Sequence, residues 1–397
     1  MSISFIVTTF SRAVLRGQRE AARGCRRVAC RALFGSVFAL LVATPVTQAG
    51  PLRPGEILVA DSGFEDLADG AIFRVDPVTG DRAIISGRGV GSGPELFNPL
   101  GITLGADRQI YVTDRVVDEY WVGTPFVYRI DPISGHRVEV SGPNVGTGPS
   151  LGDLTYGITA STAGSLYVVT DQADLAGPFE SGAVFVIDPA TGNRSVLTGP
   201  GTAQGPALQP LLTVRVDLNG SLLAVSSGLT RVDSDTGDRE IIRPHGSFFG
   251  TDAAVQDAFS FFVAASDEGR IYKVDRASGF QEIVTGQTWF DGLRGSGPLL
   301  WPFSLEMEES GQLIGSGGVF TESDPGPIGA NFAAGVFRVD IATGDRSVVS
   351  GPGVGLGPEL IGHGFMMIVP VPEPSALAGA LAGIAVLAMG HWLRRKR

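Results

Sequence analysis

Hydrophobic and polar residues alternate with a period of two through most of residues 51–370, and no long stretch there repeats with the 3.6-residue period of a helix. One phrase organises the alternation, IFRVDPVTGDR at residues 72–82. Its echoes are VYRIDPISGHR (127–137), VFVIDPATGNR (184–194), LTRVDSDTGDR (229–239), IYKVDRASGFQ (271–281) and VFRVDIATGDR (336–346). In the first copy Phe73 and Val75 point one way and Ile72, Arg74 and Asp76 the other, the mark of a strand. Asp-Pro-x-Thr/Ser-Gly then reads as a turn: Asp caps it, Pro presets φ, and Gly takes the left-handed conformation that ends it. Residues 82–86 alternate again, so each copy predicts an antiparallel hairpin.

The hairpin belongs to a longer unit. A glycine-rich connection (SGRGVGSGPEL, 86–96) leads to a strand (LGITL, 100–104), a turn (GADRQ) and a strand (IYVTD, 110–114), and a variable loop then enters the next hairpin. Turn aspartates recur at intervals from 42 residues (Asp233 to Asp275) to 65 (Asp275 to Asp340). Four-stranded repeats of this length predict an all-β fold, a six-bladed β-propeller of four-stranded blades. Residues 56–61 (EILVAD) match the second strand of a unit, so the first unit lacks an inner strand. Residues 364–369 (GFMMIV) follow the last glycine-rich connection and are expected to supply it, closing the propeller by a C-terminal strand in the first blade. The remaining inner strands are expected at 100–104, 156–160, 212–216, around 253–257 and at 302–306, the register near 250–265 fitting the template worst.

The chain divides into residues 1–49, 50–370 and 371–397. Residues 1–49 read as a signal peptide: arginines from Arg12 to Arg31, an apolar run at 32–46 and a Thr47-Gln48-Ala49 cleavage site. Both cysteines, Cys25 and Cys30, fall there, so the exported part is expected to make no disulfide. The net charge of −11 hides a more acidic body. Setting aside seven Arg and one Glu in 1–49 and four basic residues at 394–397 leaves 19 basic against 40 acidic groups, about −21. That balance disfavours nucleic acid as a partner.

At the other end, residues 375–393 hold no charged side chain over 19 residues, enough for one C-terminal transmembrane helix. Arg394, Arg395, Lys396 and Arg397 would keep its end cytoplasmic. Val371, Pro372, Glu373 and Pro374, then the apolar run, then the basic end, resemble the PEP-CTERM sorting signal of Gram-negative bacteria. That resemblance implies transient inner-membrane anchoring, processing by an exosortase, release to the cell surface or medium, and association with exopolysaccharide and biofilm. The repeats resemble NHL-type and gluconolactonase-type six-bladed propellers through G-I-T-L, I-Y-V-T-D and the hairpin. Lactonases of that class hold a metal in the channel with a Glu, an Asn and an Asp. Glu306 and Asp257 on the inner strands, with Asn98 near a strand start, are the available candidates, and they do not follow the family's motif.

Among smaller signals, the glycine-rich connections meet neither nucleotide-binding pattern and read as links between blades. Asp61, Asp114 and Asp171 end the second strand in successive units, where they either cap their own loops or hold Ca²⁺, the one cofactor under consideration. Asp118, Glu119, Tyr120 and Trp121 share a long loop on the face that collects the variable loops, and are the expected ligand contacts. Four histidines and no G-x-S-x-G elbow leave no nucleophile–base pair to name. The function expected is therefore non-catalytic binding of an extracellular matrix or exopolysaccharide component. The alternatives are a secreted metal-dependent hydrolase or lyase of the gluconolactonase type, and an envelope scaffold that recruits another surface protein.

Overall fold

A computed structural model describes residues 50–63, 70–117, 123–152, 155–170, 182–244, 250–255, 257, 259–266, 268–288, 292–320, 332–362 and 364–371. These form six antiparallel sheets. The first holds β1 (Ile57–Asp61), β2 (Ala71–Val75) and β3 (Arg82–Gly87). The second holds β4 (Ile102–Leu104), β5 (Ile110–Val117), β6 (Gly123–Ile130) and β7 (Arg137–Ser141). The third runs through β8 (Thr155–Ala160), β9 (Leu166–Thr170), β10 (Ala183–Ile187) and β11 (Arg194–Thr198). The fourth has β12 (Thr213–Val216), β13 (Leu222–Val225), β14 (Leu229–Val232) and β15 (Arg239–Arg243). In the fifth are β16 (Gly250–Val255), β17 (Ser260–Ala265), β18 (Arg270–Asp275), β19 (Gln281–Thr288) and β20 (Gly292–Arg294). The sixth is β21 (Leu299–Met307), β22 (Leu313–Phe320), β23 (Phe332–Val339) and β24 (Arg346–Ser350). Finally β25 (Met366–Ile368) pairs with β1, Ile57 opposite Ile368, and is the inner strand the first sheet needed.

Four parts of the expected fold are corrected. The sheets are six separate ladders in an open propeller, with no ladder sealing one sheet to the next. Side-chain packing joins them, because each sheet buries both faces rather than extending its edge. The fifth sheet has five strands, since β19 continues into a short hairpin with β20 before the connection. Among the described residues no helix is found, and none could cross a membrane. The apolar run 375–393, like residues 1–49 and Pro372, Glu373, Pro374 and the basic tail, lies outside the described residues. Inner strand β16 begins before the expected 253–257, the ladder with β17 shifting between Gly250 and Asp252. Asp257 consequently sits in the turn after the strand, where it accepts the Phe259 and Ser260 N–H groups.

The hairpins form as their residues dictate. Asp76 Oδ1 accepts the N–H of Val78 (2.8 Å) and Thr79 (2.9 Å), and Gly80, at φ +75°, donates its N–H to Asp76 O. A register shift recurs at the same point of all six hairpins, from Ile72/Phe73 to Val336/Phe337. Such bulges sharpen the local twist. Apolar clusters fill the space between successive sheets; Leu58, Ile72, Ile102 and Val112 share one, Val59, Phe73, Ile314 and Val336 another. This two-sided burial explains why β1 and β9 are buried at every position.

A polar latch reinforces the packing. The arginine after each turn reaches back into the preceding glycine-rich connection. Arg194 donates through Nε to Pro149 O (3.0 Å) and through Nη1 to Ser141 Oγ (2.7 Å), Gly142 O and Val145 O. Arg82, Arg137, Arg239 and Arg346 repeat the arrangement on Pro358, Pro94, Pro206 and Pro298. The connections are thus cradles for a guanidinium built from backbone carbonyls. Glycine is required because the chains nearly touch: a Cβ on Gly146 would lie 1.9 Å from Gly192 O. At the junction of the fourth and fifth sheets Gln281 replaces the arginine.

Candidate functional site at the channel mouth

The ends of the inner strands and the turns after them surround a cavity of ≈ 550 Å³. It opens at the end where each inner strand turns into the second strand, as the lining residues 103–106 and 159–162 show. Thr103, Thr159, Arg215, Glu306 and Met367 line it from five different sheets, with Ser161, Thr162 and Arg108 on the turns. Their placement follows from pairing. Thr103 lies across from Tyr111, Thr159 from Tyr167, Arg215 from Leu223, Glu306 from Ile314 and Met367 from Leu58, all at one level of the repeat.

Arg215 is the hub. Its Nε donates to Asp252 Oδ1 (2.9 Å), its Nη2 to Asp252 Oδ2, and its Nη1 to Glu306 Oε1 (2.7 Å). Asp252 is wholly buried and fully committed: Ala253 N–H donates to Oδ1, Ser304 Oγ and Leu305 N–H to Oδ2. Burial opposes the charge on Arg215, but the two carboxylates outweigh it and raise its pKa above the ordinary arginine value. Glu306 differs. It lies deep in the molecule, yet 26% of its side chain is open to the cavity. Burial pushes its carboxyl up to about 7; Arg215 pulls the other way and Asp252 adds to the rise. Glu306 Oε2 has no partner among the described residues. The hydroxyls of Thr103 and Thr159 likewise have none, although Thr159 is only 8% exposed.

The carboxylates that meet in the channel therefore meet on a guanidinium. Among the described residues no group of three or more His, Cys, Asp or Glu is placed to hold a metal ion. Asp61 and Asp114 sit elsewhere and do one job each. Asp61 accepts the N–H groups of Gly63, Ile361 and Gly362 and pairs with Arg88 at 3.2 Å. Asp114 accepts Phe97 and Asn98 N–H, tying down the segment before β4, and burial pushes its carboxyl up to about 6. These oxygens face N–H donors, the surroundings of a loop cap. Asn98 is in that tied segment and Asp257 in a turn, so neither joins Glu306. Asp118, Glu119, Tyr120, Trp121 and Asp171 lie outside the described residues, and Val371 is exposed at their boundary. Arg215, Asp252 and Thr159 were not singled out from the sequence. One signal pointed to Arg215: it stands in TVRV where the two preceding copies read GITL and GITA.

No protein-family profile matches the sequence. No curated protein matches it either. Solved structures do. A chain of a nidogen/laminin complex aligns at 14% identity and TM-score 0.51, covering 80% of this chain and 99% of that one. A putative 6-phosphogluconolactonase from Bacteroides fragilis aligns at 14% identity and TM-score 0.43 (77% and 83% covered). TolB from Acinetobacter baumannii aligns at 13% and 0.48 (79% and 66% covered). At these identities the likeness extends to architecture alone, and with six sheets of one repeated design this chain is a six-bladed β-propeller.

Proposed function

We propose that this chain is an exported, non-catalytic propeller that binds a component of the extracellular matrix, an exopolysaccharide foremost. The observation that carries the reading is the use of the channel carboxylates. Asp252 and Glu306 neutralise Arg215, and this leaves one free carboxylate oxygen where a metal-dependent hydrolase needs several converging ligands. Export and surface display rest on sequence: the basic-then-apolar head of residues 1–49, and the ordered Val-Pro-Glu-Pro, apolar and Arg-rich segments of residues 371–397. An exosortase would remove the tail after transient anchoring in the inner membrane.

The test is cosedimentation of the purified chain with exopolysaccharide, run beside turnover assays on lactone and ester panels. Saturable cosedimentation without turnover is the expected result. One observation favours hydrolysis, the Glu306 carboxyl held near neutrality beside a cavity. Turnover that disappears in Glu306→Gln would replace the binding reading with that one.

A further inference from the structure

We infer that the channel mouth, rather than the variable-loop face, seats the ligand, and that it takes one neutral sugar ring through Thr103, Thr159 and Glu306. This rests on the saccharide-binding reading above and adds the place and the charge class. The cavity of ≈ 550 Å³ lies within the ~300–1,000 Å³ usual for small-molecule sites. Its lining combines hydroxyls with Leu104, Ala160, Val216, Met307 and Met367, the mixture of polar and apolar surface that a pyranose itself presents.

Three groups carry the inference. Thr159 is more than nine-tenths buried, and its hydroxyl has no partner among the described residues. That hydroxyl opens on the cavity, where water meets it in the free chain and a ligand hydroxyl can take the water's place. Thr103 offers a second hydroxyl at the same level of the neighbouring sheet. Glu306 offers Oε2, while Arg215 fixes the carboxylate through Oε1 at 2.7 Å.

Charge selects the ligand class. Arg215 is surrounded by Asp252, Glu306 and Leu305 O, so its positive charge is spent within the protein. Arg108, exposed on the turn after β4, is the other cation of the lining, and an anion drawn to it would meet the open oxygen of Glu306. A divalent cation would find a single free carboxylate oxygen beside a guanidinium, too few ligands for Ca²⁺. A neutral polyol suits a carboxylate acceptor and two hydroxyls that both donate and accept.

The experiment measures binding of the full chain to immobilised oligosaccharides ending in glucose, galactose or mannose, with uronate-ended and amino-sugar-ended sets alongside. Thr159→Val keeps the shape and removes the hydroxyl; Glu306→Gln keeps the shape and removes the charge. Asp118→Asn/Glu119→Gln changes the loop face. The expected result is binding to a neutral-ended set, weakened about tenfold by Thr159→Val, the equivalent of one buried hydrogen bond. Glu306→Gln should weaken it similarly and the loop-face variant leave it unchanged. Binding that survives Thr159→Val and Glu306→Gln but falls in the loop-face variant overturns the channel seat and leaves the saccharide reading standing. Preference for the uronate or amino-sugar set overturns the charge assignment. No binding to any set, by a chain that also fails to cosediment with exopolysaccharide, overturns both.

Discussion

Two junctions of this propeller solve one problem with different chemistry. Between the second and third sheets Arg194 is held by neutral oxygens, Ser141 Oγ and the carbonyls of Gly142, Val145 and Pro149. Between the fourth and fifth sheets the equivalent arginine is missing, and carboxylates take over. Arg215 binds Asp252 across this junction, and Arg276 binds Asp217. The difference teaches where the repeat was free to change. A guanidinium in a carbonyl cradle is a fixed tie, indifferent to pH. An arginine shared between two carboxylates leaves a titratable group next to open space. From that junction Arg215 also reaches Glu306 on β21 of the sixth sheet.

The largest effect should come from breaking the charged junction on one side. Asp252→Ala leaves Arg215 with Glu306 and Leu305 O and strands the Leu305 N–H, so denaturant unfolding should show a loss of about 3–5 kcal/mol. Replacing Arg215, Asp252 and Glu306 together by apolar residues of similar volume should cost far less, since no charge is then left buried without a partner. If the single and triple variants lose the same stability, packing rather than charge holds this junction.

A smaller loss is expected in the regular junction. Arg194→Ala removes a set of charge-assisted hydrogen bonds and should cost about 2–3 kcal/mol by the same measurement. The reciprocal change, Gln281→Arg, should stay within ~0.5 kcal/mol of the parent. The sequence at 244–249, PHGSFF, lacks the glycine-rich pattern of the other connections. A gain of 2 kcal/mol from Gln281→Arg would show that the arginine alone makes the latch.

The smallest effect separates the junctions by pH. Glu306, with a folded value of about 7, binds its proton more tightly folded than unfolded, where an ordinary Glu titrates near ~4.3. Its contribution to stability therefore falls as pH rises from about 4 to about 7, on the order of 1–3 kcal/mol. The turn aspartates have the opposite sign. Backbone N–H donors hold Asp76, Asp131, Asp188 and Asp233 below the usual carboxylate range. Their contribution is complete above about pH 4 and is lost as pH falls through the depressed values. Thermal midpoints measured from pH 4 to 8 should decline in the parent and decline less in Glu306→Gln, where the raised carboxyl of Asp114 still titrates. Identical profiles would mean that Glu306 keeps its proton balance on unfolding.

What was legible in the sequence follows from the same contrast. The hairpins could be read because each one needs its Asp, Gly and alternating apolar residues locally, whatever surrounds it. The pairing of residues 364–369 with 56–61 could be read because an incomplete unit at one end matched a spare strand at the other. The register of β16 could not, since a shift between Gly250 and Asp252 depends on the partner strand and leaves no local mark. The channel cluster was half visible. Glu306 stood out as an acid on an inner strand, but its partners come from β12 and β16, and only the spatial order of the sheets brings them together. Asp257 was the acid expected on the fifth inner strand, and Asp252 is the one that lies there; five residues separate a turn cap from a buried ion pair.

The pairing of β25 with β1 bears on how the chain assembles in time. Asp61 accepts the N–H of Ile361 across 300 residues of sequence, and Val369 N–H reaches Glu56 O. The first sheet to emerge during synthesis is the last to be finished. The entropy of bringing such distant segments together grows only logarithmically, about 0.6 kcal/mol for each doubling of the loop, so the finished sheet is not much weakened by the separation. The rate suffers more, because long-range pairing waits on everything between. Until residues 364–369 arrive, β1 carries an open edge that another chain can occupy. A nascent or truncated chain is then a candidate for strand exchange with a second copy, while the complete chain carries its own competitor for that edge.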